Sequence, residues 1–197
     1  MAVKYQYNKT SLNEMGKQLK AREKALPTIK SKESALRVEV KRAKDDAEQS
    51  AALLKQKIAE YESMYALWTE FDASLLYVVD VELTTQKIAG VAVPSLGNVI
   101  FKEKKYSLFS TPFWFAEGIQ ILKDLATIGL KEEVFYQKMK ILDAARKKTT
   151  QKVNLYEKVQ IPGYMEAIRK IKRFMEDEDN LSKAAQKIVK TRQNQAS

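Results

Sequence analysis

Residues 11–71 read SLNEMGKQLKAREKALPTIKSKESALRVEVKRAKDDAEQSAALLKQKIAEYESMYALWTEF, and their periodicity decides the fold. Apolar or small residues recur at alternating steps of three and four: Leu12, Met15, Leu19, Leu26, Ile29, Leu36, Val40, Ala43 and Ala47, with Arg22 and Glu33 as polar interruptions. After a four-four step through Ala51 the register resumes as Leu54, Ile58, Tyr61, Tyr65 and Trp68. That spacing lays a narrow stripe down one side of a long helix, the seam of a left-handed coiled coil. The extra four-residue step relaxes the supercoil locally without ending it. Such a helix is about 90 Å long at the usual rise. A core made by this chain cannot enclose that length, so the helix requires a partner.

The start and end of this helix carry their own signals. Ser11 and Glu14 fit a capping box. Pro27 removes one helical hydrogen bond and is expected to bend the helix rather than end it. No Gly or Pro follows from Thr28 to Ala89, and the aromatic group Tyr61, Tyr65, Trp68 and Phe71 closes the helix.

The partner is expected from Leu130 to about Gln193, broken only at Pro162-Gly163. Beyond the break the alternation is clean: Tyr164, Ile168, Ile171, Phe174, Glu178, Leu181, Ala185, Ile188. The break reads either as a hinge or contact bump, or as a kink packed against the partner helix. Two patterns of similar length joined by a compact middle bury both stripes when they fold back on each other. The expected architecture is therefore mostly α: two long antiparallel helices forming a left-handed coiled coil, with a β-hairpin and a short helix between them. Its divisions are residues 1–73, 74–129 and 130–197. The seam residues are Leu12, Leu19, Leu26, Leu36, Val40, Leu54 and Ile58 on the first helix, and Ile168, Ile171, Leu181 and Ile188 on the second.

The middle differs in kind. Residues 71–129 carry a net charge of −1, against +4 for residues 1–70 and +7 for 130–197. Leu75–Leu83 ends in strand-like alternation. Ile88–Pro94 and Val99–Tyr106 bracket Ser95-Leu96-Gly97-Asn98 as the expected hairpin turn, with Gly90 as a bulge. Pro94 is barred from a central strand. Thr111-Pro112-Phe113-Trp114-Phe115 opens a short helix running to about Ile128, and Gly129 ends it or marks a soft joint. Tyr106, Phe109, Phe113, Trp114 and Phe115 form either a mini-core beneath the hairpin or a partner-binding patch.

Composition excludes several chemistries. There is no Cys and no His, which removes disulfides, thiolate chemistry, zinc fingers and histidine acid–base catalysis. The six glycines include no pair with phosphate-loop spacing. The acidic run Glu176-Asp177-Glu178-Asp179 is flanked by Arg169, Lys170, Lys172 and Arg173, which suits a salt-bridged, solvated face better than a cation site. No nucleophile–base pair, cofactor motif or metal site is expected. Met1–Lys9 lacks the apolar core of a signal peptide, and the longest apolar run, Leu75–Val79, is far short of the ~20 residues that span a bilayer. A net charge of +10 admits an alternative reading, a basic coiled coil binding nucleic acid or an anionic membrane surface. Interleaved acids, as in Lys41-Arg42-Ala43-Lys44-Asp45-Asp46, argue against it.

Four segments in order carry a resemblance. Arg146-Lys147-Lys148-Thr149-Thr150-Gln151-Lys152-Val153-Asn154-Leu155-Tyr156-Glu157-Lys158-Val159-Gln160-Ile161-Pro162 is similar to the signature of the D subunit of V-type and archaeal A-type rotary ATPases. Asn8–Leu12, Ile88–Pro94 and Tyr106–Trp114 agree in order and spacing, and the similarity covers nearly the whole chain. Leu26-Pro27-Thr28-Ile29-Lys30 and the Asn8-Lys9-Thr10-Ser11 opening resemble the bacterial V-type branch. The resemblance implies a non-catalytic central-stalk rotor that couples ATP hydrolysis or synthesis to proton or sodium transport. Its implied partners are the A and B subunits of the catalytic hexamer, the F subunit and the ring-seating stalk subunit (C/d type). It further implies a cytoplasmic position beside the membrane, no cofactor, no nucleic acid, no membrane insertion and no obligate homo-oligomer. The resemblance also implies that the hairpin influences ATPase activity. Val91, Val93, Pro94, Phe109, Phe113, Trp114 and Pro162 are the candidate partner contacts.

Overall fold

A computed structural model describes residues 4–107 and 111–196. Helix α1 spans Lys9–Glu60 and is followed by a 3₁₀ turn, Glu62–Met64, and the one-turn helix α2, Tyr65–Trp68. Strands β1, Leu76–Ile88, and β2, Val91–Glu103, form an antiparallel hairpin. Helix α3, Phe115–Leu155, continues through a π turn at Tyr156–Gln160 into α4, Ile161–Ala196. The mostly α expectation, with a hairpin between long helices, is met. The boundaries differ in four places, each for a local reason.

The first is the start of α1. Asn8, not Ser11, is the cap: its Oδ1 accepts from the Ser11 N–H at 2.7 Å. The Ser11 hydroxyl in turn accepts from the Gln6 N–H at 3.2 Å. Ser11 thus stands at N3, and its hydroxyl reaches past the cap residue to Gln6. Pro27 lies within α1 and does not end it.

The second is the end of α1, which stops at Glu60 instead of running on to Phe71. The rings of Trp68 and Phe71 leave the helical line to pack on Trp114 and Phe115, with centroids 5.1–5.6 Å apart.

The third is the hairpin, whose turn is Ala89-Gly90 rather than Ser95–Asn98. Both residues have positive φ, 49° and 77°, the backbone of a two-residue type I′ loop. Gly97, expected in the turn, lies in β2 opposite a register shift between Val81 and Leu83. A Cβ there would meet the Glu82 carbonyl oxygen at 2.9 Å, so its missing side chain admits the close approach of a bulge. Gly90→Ala is expected to cost about 1–2 kcal/mol, the usual penalty for an L side chain in that region. A thermal melt followed by circular dichroism checks it.

The fourth is the second long helix, which begins at Phe115, fifteen residues before the expected 130. Gly129 neither ends it nor joints it. A Cβ at Gly129 would stand 4.0 Å from Leu54 Cδ2, ordinary contact distance. The cost of a mid-helix glycine, about 1 kcal/mol, is small beside the packing of a continuous helix.

The chain divides into two compact units, Ser34–Lys147 and Met1–Glu33 with Lys148–Ser197. The division falls within α1 and within α3. In the Ser34–Lys147 unit the core is Leu36, Ala43, Val93 and Leu142, with Val40, Ile88, Ala89, Val91, Met139 and Ala145 packed around it. The hairpin's tip is therefore a structural part of the helix pair. A lone hairpin is marginal in water, and this one is seated on two helices. In the other unit Met15, Ala167 and Ile171 form the core, flanked by Tyr5, Leu12, Tyr164, Ile168 and Met175. Arg22 meets Gln160, Lys30 meets Glu157 and Glu33 meets Thr150, so ascending α1 numbers face descending ones and the pairing is antiparallel.

Candidate interaction surfaces

Among the described residues no group of three or more Asp or Glu side chains stands close enough to hold a metal. The run Glu176–Asp179 is exposed on α4. Three of the carboxylates that depart from ordinary titration belong to local helix pairs. Hydrogen bonds from Lys147 and then Arg146 hold Asp143 below the usual range. Lys170 does the same for Glu166, and Lys57 for Glu60. These are solvated helix faces.

The candidate seam residues separate into three groups. Leu36 and Ile171 are fully buried. Leu12, Leu19, Leu26, Val40, Leu54 and Ile168 are half-buried. Ile58, Leu181 and Ile188 are exposed, at 54%, 72% and 56%, so within this chain they face solvent and not a seam. The reason on α4 is a matter of reach. α1 begins at Lys9, and the segment ahead of it turns back so that the Tyr7 ring packs on Phe174, centroids 4.8 Å apart. Every described side chain from Glu176 to Asn194 is exposed. The stripe continues there with no α1 residue to receive it.

The candidate partner contacts separate likewise. Val93 is 1% exposed in the core, which corrects its assignment as a free contact. The hydrophobic gain from burying a valine, about 1.5–3 kcal/mol, is already taken within the chain. Val91 packs against the same core. Pro94 is half-buried in a small groove with Ser95, Leu96, Lys131 and Phe135. Pro162 is exposed. Phe109, like the Tyr65 side chain, lies outside the described residues.

Phe113 and Trp114 stand side by side with opposite fates. Phe113 is wholly exposed. Trp114 belongs to an aromatic cluster with Trp68, Phe71 and Phe115. Gly118 makes the room, because a Cβ there would meet Trp114 Cζ3 at 2.9 Å and Phe71 Cε2 at 3.2 Å. Trp114 and Phe115 thus cluster with Trp68 and Phe71 rather than with the strands, while Phe113 is a surface group. The buried Trp114 Nε1 finds no acceptor among the described residues. Beside this cluster a groove of about 530 Å³ runs between the end of α1 and α3, lined by Ile58, Ala59, Tyr61, Trp68, Leu122 and Leu125. It collects the apolar surface that the helix pair leaves open where α1 ends.

Sequence reasoning flags Arg22 only as an interruption and misses what it meets. Its Nε donates to Gln160 Oε1 at 2.8 Å, and its Nη1 donates to the Gln18 carbonyl and side-chain oxygens. The guanidinium also lies 4.9 Å from the Tyr164 ring centroid and 5.9 Å from that of Tyr156. A signal is present. Tyr156 and Tyr164 are eight residues apart, one more than a heptad. In a regular helix they stand about 80° apart round the axis, and taking up one residue between them brings them nearer one line.

The profile of the ATP synthase D-subunit family matches residues 11–191. The V-type ATP synthase D subunit of Borreliella burgdorferi is 28% identical over 193 residues, covering 95% of this chain and 94% of that protein. The protein of the same description from Chlamydia pneumoniae is 30% identical, covering 90% and 87%. That of Chlamydia felis is 31% identical, covering 77% and 76%. Among the described residues, no helix is long and apolar enough to cross a membrane.

Proposed function

Because the chain belongs to the ATP synthase D-subunit family, we propose that it is the central-stalk rotor of a rotary V-type ATPase, coupling ATP turnover in the A/B catalytic hexamer to proton or sodium transport. The observation that carries this reading is the antiparallel pairing of α1 with the C-terminal helices, bridged from Arg22–Gln160 to Glu33–Thr150. In a shaft, residues 1–73 and 130–197 supply the two legs and 74–129 the foot. Knob-into-hole packing along a left-handed coiled coil would resist sliding and twisting of one leg on the other. Such a shaft carries no chemistry. It gates each catalytic interface by offering it a different face as it turns, since only differential contact shifts an open–closed equilibrium.

The same reading gives the exposed groups their partners. The bare stripe of Leu181 and Ile188 is offered to the bore of the A/B hexamer. Phe113 and the groove at Ile58 are offered to the F subunit or the ring-seating stalk subunit. The rotor then sits at the cytoplasmic side, peripheral to the membrane. The interleaved charges of the helices suit a rotor, because a large adhesive patch would trap one angle.

Two measurements test this. The untagged chain is expected to co-purify with A, B and F subunits. Val40→Asp, which puts a charge against the Leu36/Leu142 core, is expected to uncouple ATP hydrolysis from ion transport or to block assembly. Fully coupled pumping by that variant would remove the helix pair from the transmission of torque.

A further inference from the structure

The join between α3 and α4 is a π turn, Tyr156–Gln160, in which the Ile161 N–H bonds to the Tyr156 carbonyl five residues back. Pro162 supplies its cause. It has no N–H for the Lys158 carbonyl four residues behind it, and its ring crowds that oxygen, so the turn widens. Widening takes up one residue. The eight-residue spacing from Tyr156 to Tyr164 then acts as a heptad, and both rings come round to face Arg22.

Pro162 explains why a residue must be taken up, but it does not say at which turn. Arg22 supplies that selection. It holds Tyr156, the first residue of the π turn, and Gln160, the last, and it stacks on Tyr164 beyond them. One rigid planar side chain thus grips both ends of the irregular turn. We propose that Arg22 is a clamp that fixes the π turn at Tyr156–Gln160, and so decides which residues of α4 face α1.

The clamp has a consequence one turn further on. Moving the extra residue past Gln160 changes the phase of everything between the old and new positions by about 100°, one residue's rotation in an α-helix. Tyr164, which packs on the Met15–Ala167–Ile171 core, would turn away from it. A polar group at a seam position in other helix pairs fixes register while lowering stability. Arg22 plays that part here, with the π turn as the feature it locates. The inference concerns register within one unit and does not depend on the rotor reading.

The test is hydrogen exchange by mass spectrometry on the full chain, comparing the parent with Arg22→Leu and Gln160→Ala. Leucine at position 22 continues the apolar stripe, so the melting midpoint of Arg22→Leu is expected to stay level or rise. Exchange in residues 156–164 is expected to quicken by about tenfold or more as the π turn opens locally, with Met15 and Ile171 segments unchanged. Gln160→Ala keeps the tyrosine stacking and is expected to quicken the same segment less. Unchanged exchange at 156–164 in both variants overturns the clamp. So does a uniform rise across the unit with a lowered midpoint, which would make Arg22 an ordinary stabilising residue. If Arg22→Leu does not fold, Gln160→Ala alone decides by the same local-versus-uniform criterion.

Discussion

Leu142→Asp is expected to unfold the Ser34–Lys147 unit outright. Leu142 is fully buried and touches the α1 side of the core through Leu36 and Ala43 and the hairpin through Val93. Truncating such a leucine to alanine costs about 2–5 kcal/mol. An aspartate adds the cost of an unpaired charge in an apolar site, several kcal/mol more before the structure yields. The sum approaches the whole stability of an ordinary domain, about 5–15 kcal/mol. No basic side chain is part of this core, so pairing does not rescue it. Circular dichroism should show loss of helix and of the cooperative melt, while Leu142→Ala remains folded with a lowered midpoint. A two-state melt near the parent's from Leu142→Asp would mean that this residue is not the junction of helices and hairpin.

Val93→Asp is expected to release the hairpin and leave the helices paired. Val93 is the one fully buried side chain among the strand residues described. The hairpin can swing its tip into water, which caps the cost near that of the lost docking, about 3 kcal/mol. Once undocked, two strands are marginal on their own, so residues 76–103 should lose exchange protection and become sensitive to protease. Helix content should persist, because Leu36, Ala43 and Leu142 still pack. In an assembled complex the same variant separates two roles. A changed ATPase rate with intact assembly assigns regulation to the docked hairpin. Protection at 76–103 equal to the parent's would show that Val93 does not hold the hairpin down.

The difference between these two outcomes explains why the hairpin is hard to read from sequence. Its strand character is legible in Leu76–Leu83 and Val99–Phe101, but composition misplaces its turn by several residues. Ser95-Leu96-Gly97-Asn98 has the better turn composition, and Ala89-Gly90 the weaker. Ala89 tolerates a left-handed backbone because Ala89, Val91 and Val93 all pack on the helices. Tertiary burial outweighs local propensity. The glycines mislead in the same way. Gly129 looks like a stop and is a packed helical position near Leu54; Gly97 looks like a turn and is a close strand contact.

What the sequence determined by itself is periodicity and its consequences. Leu36, Val40 and Ala43 in one unit, and Met15, Ile168 and Ile171 in the other, lie where the three-four alternation puts them, because a helical stripe has one face and must cover it. Only the tertiary structure decided where each stripe finds cover. It covers Ile171 and leaves Leu181 and Ile188 bare, since α1 starts at Lys9 and reaches no further. It also buries Val93 and turns Arg22 from a flaw in the seam into a contact with the π turn. Burial depends on what stands opposite a residue, and a one-dimensional pattern specifies a face without specifying its neighbour.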